Sequence, residues 1–302
     1  MNHNPDWALY RTLLAVLDAG SLSAAARALG TTQPTVARHV DALESALGAD
    51  LFVRSQRGLE PTELAVSLRP HARTMATTAA ALLRAASGAQ GDFAGTVRIT
   101  ASDVVGVEHL PPILTRLRRA NPALAIELAL SDVVGDLLAR EADIAIRMVE
   151  PTQGALLARR LPPVDLGFHA HRDYLDRAGT PATIGDLSAH DVIGYDTETP
   201  ALRAMAARLP PLDRRTFALR ADSNLAQVAA IRSGFGIGIC QVAIARRDPA
   251  LVRVLPAITL TLPLWIVMHE DLKTNARCRA VFDALVEGLD LSEAAPGATA
   301  TC

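Results

Sequence analysis

The chain has 302 residues, half of them hydrophobic, and a formal net charge of −2. That length suits about two domains with real cores, and the near-neutral balance excludes a protein that grips nucleic acid by bulk positive charge. No apolar stretch is long enough to span a bilayer, and Cys240, Cys278 and Cys302 are too widely spaced for a disulfide framework or a zinc site. The N-terminal MNHNPDWALY has no positive region followed by an apolar run, so no signal peptide is evident and a cytoplasmic location is expected.

In chain order, Ser21 and Ser23 are N-cap residues ahead of an Ala-rich helix over about Ala24–Leu29. Gly30 suits the end of that helix, Thr31-Thr32 offers a fresh N-cap, and Pro34 fits the first turn of a second helix. Val36, Val40, Leu43 and Leu47 recur at helical spacing and are expected to face inward. The opposite face carries Gln33, Thr35, Arg38 and His39, side chains that read base edges or hold phosphates. Leu51-Phe52-Val53 reads as a short buried anchor, followed by a wing with Arg54, Arg57 and Gly58. Two helices, a tight turn and a wing make a winged helix-turn-helix, which places one helix in the major groove of DNA. The candidate DNA contacts are Thr32, Gln33, Pro34, Thr35, Arg38, His39, Arg54 and Arg57. Ordinary core packing would explain any single helix pair, but not the whole linked pattern.

Residues 1–65 hold five arginines against seven acidic side chains, a formal charge of −2. Binding must then rest on where the arginines sit and on two reading domains acting together, so a dimer or tetramer gains affinity by multivalency. A long helix from Thr62 to Ser87 follows, with Leu64, Leu68, Ala72 or Met75, Ala79, Leu82, Leu83 and Ala86 every three or four residues. Its apolar stripe either pairs with a second copy or packs on its own domain. The segment Ser87–Asp92 then reads as a hinge.

Beyond the hinge, strands alternate with helices. Strands are expected at Thr96–Thr100, Ala125–Leu130 and Asp143–Arg147, with helices at Leu110–Ala120 and Val134–Arg140. A second unit begins near Val164 with the strands Leu166–Ala170 and Val192–Tyr195, the helix Asn224–Arg232 and the strand Gly236–Cys240. The strand Leu264–Met268 returns the chain before a last helix over Asn275–Leu289, and the tail from Ser292 is small and polar. The alternation predicts a parallel sheet with helices on both faces. In such sheets ligands bind beyond the carboxyl ends of strands. Those ends carry Ser102, Asp103, Ser131, Asp132 and Arg147, with Ser223 and Asn224 on the second lobe. Hydroxyls and helix-start amides suit an anionic ligand and Arg147 suits a carboxylate, while Asp103 and Asp132 pull the other way. A zwitterion or a mixed polar ligand fits equally, and Ser102 and Ser223 also serve as plain helix caps.

Gly234-Phe235-Gly236-Ile237-Gly238 has the look of a dinucleotide fingerprint but leads into a strand instead of opening a helix. His269-Glu270-Asp271 reads as a solvated loop, and no GxSxG, HExxH or P-loop is present. A solute-binding protein would need a secretion signal, and an enzyme would need a nucleophile–base pair or metal ligands.

The first sixty-odd residues resemble the LysR-type transcriptional regulators. The resemblance lies in Leu14–Leu17, Gly20-Ser21-Leu22, Ala25-Ala26, Leu29, Gln33-Pro34, Val36, Leu43-Glu44, Leu47-Gly48, Leu51-Phe52, Arg54 and Pro61-Thr62. Ala37 stands where the family usually has serine, His39 where glutamine is common, and Glu63-Leu64-Ala65 replaces an acid-Ala-Gly run. Residues 92–291 resemble the family's effector domain through Leu110-Pro111, Asn121-Pro122, Ala142–Arg147, Tyr174-Leu175, Asp186-Leu187, Gly234–Gly238 and Leu251–Pro256. The resemblance implies an α/β fold with a winged helix-turn-helix (1–61), a dimerising linker helix (62–87) and a hinge (88–95). After them it implies a two-lobed effector domain like type 2 periplasmic binding proteins, with lobe 1 at 96–163 plus 266–291, lobe 2 at 164–265, and a tail (292–302). It further implies a non-enzymatic, sequence-specific regulator of promoter DNA, a homodimer or homotetramer with no membrane partner. Its only small-molecule requirement is an effector, with no metal or cofactor; the strand ends offer Ser102, Asp103, Ser131, Arg147, Ser223 and Asn224 to hold it.

Overall fold

A computed structural model describes residues 5–55, 58–87, 93–132, 142–151, 156–206, 214–289 and 291. The chain divides into two compact units near Ala86 and Ser87.

The first unit opens with α1 (Trp7–Ala19), capped by Asp6, whose Oδ1 accepts from the Ala8 amide at 2.9 Å. None of the expected helices covers this stretch, although Asp6 is a preferred N-cap residue. It leads to α2 (Leu22–Leu29) and α3 (Gln33–Leu47). Ser21 is the N-cap of α2 and Thr32 that of α3, each accepting a backbone amide, from Ala24 and Thr35 respectively. The second helix thus starts two residues before the expected Ala24, leaving Ser23 inside it. Gly30 takes φ 65 between the two helices, a left-handed conformation that a side chain disfavours.

Strands β1 (Phe52–Ser55) and β2 (Gly58–Pro61) pair antiparallel, Phe52 with Pro61 through Ser55 with Gly58, and form the wing. Glu44 fixes the approach to it: Oε1 accepts from the amides of Leu51 (2.7 Å) and Phe52 (3.1 Å). Val36, Val40 and Leu43 are buried as expected, but Leu47 is 39% exposed, because α3 ends there and its last turn leaves the core. Val53 is 47% exposed, since the pleat turns it away from the face that Phe52 occupies. One core cluster gathers Leu13, Leu17, Leu43, Leu51 and Ala65, and a second gathers Val16, Ala25, Ala26, Val36 and Val40.

The long α4 (Glu63–Ser87) starts one residue after Thr62, whose Oγ1 accepts from the Ala65 amide. Two arginines fasten it to the end of α1. Arg69 donates to the Leu17 carbonyl at 2.9 Å, and Arg73 pairs with Asp18 at 2.7 Å.

The second unit begins with β3 (Gly95–Ala101), α5 (Asp103–Glu108), α6 (Leu110–Ala120), β4 (Leu124–Leu130) and β5 (Ile144–Arg147). The long β6 (Leu156–His171) follows, then α7 (Arg172–Ala178), β7 (Val192–Gly194), α8 (Pro200–Ala206), β8 (Phe217–Arg220) and α9 (Asn224–Arg232). The chain ends through β9 (Gly238–Gln241), α10 (Val242–Ala245), β10 (Leu251–Arg253), β11 (Leu260–His269) and α11 (Ala276–Gly288). The strand expected at Gly236 therefore begins two residues later. The expected helix Val134–Arg140, most of the hinge and the tail fall outside the described residues.

The sheet is mixed, not parallel throughout. The run is β10-β6-β11-β5-β3-β4, with β9 also on β6. Only β3 with its neighbours β4 and β5 pairs parallel in it, while β11 meets β5 and β6 antiparallel. The physical reason is the long return. β11 comes back beside β5 and runs against it, so the sheet cannot continue by right-handed crossovers. A separate parallel pair, β7 with β8, lies in the second lobe.

Both β6 and β11 pass from one lobe to the other, so the boundaries drawn at 163/164 and 265/266 fall inside continuous strands. Their register shifts where Leu262 faces Val164 but Leu264 faces Leu161. Pro162, Pro163 and Pro263 occupy this step, and proline has no N–H to give a ladder.

Lobe 1 centres on Val97, Ile99, Ile144, Ile146, Ile266 and Val281, with α6 and α11 packed over them. Lobe 2 has one cluster around Phe168, Tyr174 and Val192 and another around Ile193, Val228, Ile231 and Ile244.

Candidate functional site

On α3 the exposed end comprises Thr32, Gln33, Pro34 and Arg38, with Thr35 half-buried. Several of these side chains are already positioned by neighbours. Ser23 Oγ lies 2.9 Å from Gln33 Oε1 and ties α2 to α3. The Thr32 and Thr35 hydroxyls lie 2.9 Å apart. Arg38 is exposed and engages no other described residue, so its guanidinium is the group on this face most available to a phosphate or a base edge.

His39 is placed differently from the outward orientation expected of it. Its Nδ1 lies 2.9 Å from Thr12 Oγ1, which itself donates to the Ala8 carbonyl, and the ring is half-buried against α1. The imidazole therefore helps fix the angle between α1 and α3. Arg54 lies in β1, with its side chain outside the description, and Arg57 lies outside the described residues.

In the second unit a cavity of about 160 Å³ opens between the two lobes. Ser102, Asp132 and Met148 line it from lobe 1, with Tyr195, Asn224, Gln227 and Cys240 from lobe 2. Of the six effector candidates, Ser102 and Asn224 line the cavity, whereas Asp103, Ser131, Arg147 and Ser223 do not.

Each of those four has a visible structural engagement. Asp103 gives its amide to Asp132 Oδ1 at 3.1 Å, and burial with the neighbouring Asp132 charge holds its own carboxyl above the usual range. The Ser131 amide continues the ladder onto the Ala101 carbonyl, and Ser223 caps α9. Arg147 donates to Thr100 Oγ1 (2.9 Å) and to the Ile146 carbonyl (3.0 Å).

Sequence reasoning left out Tyr195, Gln227, Gln241 and Cys240. The signal for Tyr195 was its position just after β7, a strand end like the others considered. Gln227 sits one turn after Asn224 on α9, where the two share a face. Burial, then the charges of Asp132 and Asp222, push the Tyr195 phenol up to about 12, so it stays a neutral donor; it donates to Asn224 Oδ1.

Around the cavity the lobes are stitched together by polar contacts. Asn224 Nδ2 donates to Asp132 Oδ2 at 2.7 Å. Glu108 on α5 forms a two-pronged pair with Arg232 on α9, at 2.7 and 2.9 Å. That hydrogen-bonded pairing holds the Glu108 carboxyl below its ordinary range. His109 Nε2 lies 2.8 Å from Gln241 Oε1, and burial, with Arg247 nearby, lowers the imidazole to about 4. Burial pushes the Cys240 thiol, 3.4 Å from His169 Nδ1, up to about 12, which makes it a poor nucleophile. Cys278 is buried as well. Among the described residues no cluster of His, Cys, Asp or Glu could hold a metal, and no helix is long and apolar enough to cross a membrane.

Residues 7–66 match the family model for the bacterial regulatory helix-turn-helix protein of the lysR family, and residues 90–290 match that for the LysR substrate binding domain. The chain is 29% identical over 297 residues to the probable HTH-type transcriptional regulator LtrA of Klebsiella pneumoniae, covering 95% of each. It is similar to the solved structure of CrgA, a LysR-type transcriptional regulator from Neisseria meningitidis, with 26% identity and a TM-score of 0.57 over 93% of this chain and 97% of that one. Full-length CbnR, solved with its target DNA, shares the fold at 21% identity and a TM-score of 0.64, over 93% of this chain and 99% of that one. With both of its units matched in order, the chain belongs to the LysR family of transcriptional regulators.

Proposed function

We propose that this protein binds specific sites in promoter DNA through α3 and the β1–β2 wing, and that a small molecule in the cavity between the lobes controls that binding. The observation that carries the reading is the exposed end of α3, where Thr32, Gln33, Thr35 and Arg38, the last with no partner among the described residues, face outward from a helix whose inner face is locked by Val36, Val40 and Leu43. CbnR, of the same fold, was solved on its target DNA. The protein acts as a homodimer joined along α4, with a tetramer as the larger assembly, and the site of action is the cytoplasm. It needs no metal or cofactor besides the effector and performs no catalysis: the cavity's thiol is held protonated and the histidine beside it is buried.

The effector acts by differential affinity, as any allosteric ligand must. It binds one arrangement of the lobes more tightly than the other, and the spacing of the paired reading heads follows. The test is competition binding of the full chain to labelled fragments from upstream of its own gene. Retention against excess unrelated DNA is expected, and equal loss to both competitors would remove the reading.

A further inference from the structure

The cavity wall is chemically mixed, with Gln227 and Gln241 among its polar groups. Tyr195, Asn224 and Asp132 form one hydrogen-bonded run in the wall, Ser102 adds a hydroxyl, and Met148, Leu166, Met205, Val228 and Leu262 supply apolar surface. Asp132 is the one charged side chain among the described lining residues. Its two oxygens accept from neutral amides, those of Asp103 and Asn224, and no arginine or lysine among the described residues pairs with it. Arg147, the cation that a carboxylate ligand would want, is turned onto Thr100 and the Ile146 carbonyl and does not reach the cavity wall.

The local field agrees. The Asp132 charge, after burial, contributes to raising the Asp103 carboxyl, and Asp132 and Asp222 both add to the burial that raises the Tyr195 phenol. Both neighbours thus feel the Asp132 charge. An anionic ligand entering here would bring a second negative charge beside the Asp132 carboxylate, which is disfavoured at short range.

We infer that the effector is a small primary amine with a short apolar body, its ammonium group paired with Asp132 and its hydrocarbon against Met148, Leu166 and Leu262. The inference rests on the reading of this cavity as the effector site. An aliphatic ammonium remains charged at neutral pH, and its pairing with a carboxylate is a charge-assisted hydrogen bond. The Ser102 side chain makes no cap bond to α5, and its hydroxyl lines the cavity where it can accept a second ammonium proton. A cavity of this size holds a body of roughly six heavy atoms.

The test uses the full chain and three probes of nearly one shape: isoamylamine, isoamyl alcohol and isovalerate. Thermal shift and isothermal titration are run on the wild type, on Asp132→Asn and on Met205→Trp, which puts bulk into the cavity from its wall. Isoamylamine is expected to raise Tm and to bind at least ten-fold more tightly than the alcohol, with isovalerate giving no shift. Asp132→Asn should remove that ten-fold preference, and Met205→Trp should abolish binding. Should either variant fail to fold, the order of the three probes on the wild type still decides the charge class. Isovalerate binding as well as the amine overturns the inference; if Met205→Trp then abolishes that binding, the cavity stands as the ligand site and only the charge class falls. Amine binding that survives Met205→Trp places the ligand elsewhere and overturns both. The absence of a shift with any probe overturns the inference, and the DNA-binding measurement judges the regulator reading separately.

Discussion

Arg38 and His39 are adjacent on α3, yet the fold uses them differently. The Arg38 side chain is exposed and engages no other described residue, while the His39 ring is held 2.9 Å from the Thr12 hydroxyl. Arg38→Ala is therefore expected to weaken specific DNA binding by about 1–3 kcal/mol while leaving Tm unchanged, as fluorescence anisotropy and thermal melts on one preparation will show. Two other histidines set a pH dependence. Burial lowers both His109 and His169 to about 4 from an ordinary 6.5. A histidine that binds its proton more weakly when folded makes protonation favour the unfolded chain. Its stabilisation is whole above pH 6.5 and drains away as pH falls toward 4. Each withdraws about 1.4 kcal/mol per pH unit across that window. Denaturant melts of the full chain between pH 7 and 4 should show the effector unit weakening, and a His169→Gln variant should show a shallower slope; equal slopes would contradict the assignment.

At the scale of elements, what was legible depended on length and on local signals. The register of α3 followed from Val36, Val40 and Leu43, and its start from Thr32 and Pro34, because caps and periodicity are local. Helix α6 matches its expected bounds, Leu110–Ala120. The six-residue α5 was too short to show a period, although it carries Glu108, a main link between the lobes. The antiparallel β11 was beyond local reading, since its direction depends on where the distant chain end returns.

The glycine run 234–238 also has a tertiary cause. A Cβ on Gly236 would lie 2.0 Å from the Asp191 carbonyl, and one on Gly238 would lie 2.9 Å from Ile231. The repeat serves close packing of the segment before β9, which no spacing rule reveals. Within the cavity, Ser102 and Asn224 follow from the rule about strand ends, but Tyr195 and Gln241 are brought there by strand pairing across the lobe. Along α4, Leu82 and Leu83 are 63% and 71% exposed, and Val66 is 52% exposed. Apolar side chains so exposed on one helix need a partner surface. Leu83→Glu is expected to shift the protein toward monomer in sedimentation velocity without lowering the stability of the effector unit, and an unchanged oligomer would remove α4 from the interface.

For the whole molecule the decisive quantity is charge placement. The chain is near neutral and its first 65 residues are net acidic, so affinity for DNA rests on few, well-placed contacts made more than once. A dimer presenting two α3 helices multiplies those contacts, and protected sites should be spaced by whole turns of the duplex, about 10 base pairs or multiples. Footprinting of the full chain on the DNA upstream of its own gene tests this most directly. Paired, phased protection by the wild type that disappears with Arg38→Ala is the predicted result; no specific protection, or protection that Arg38→Ala leaves intact, would contradict it.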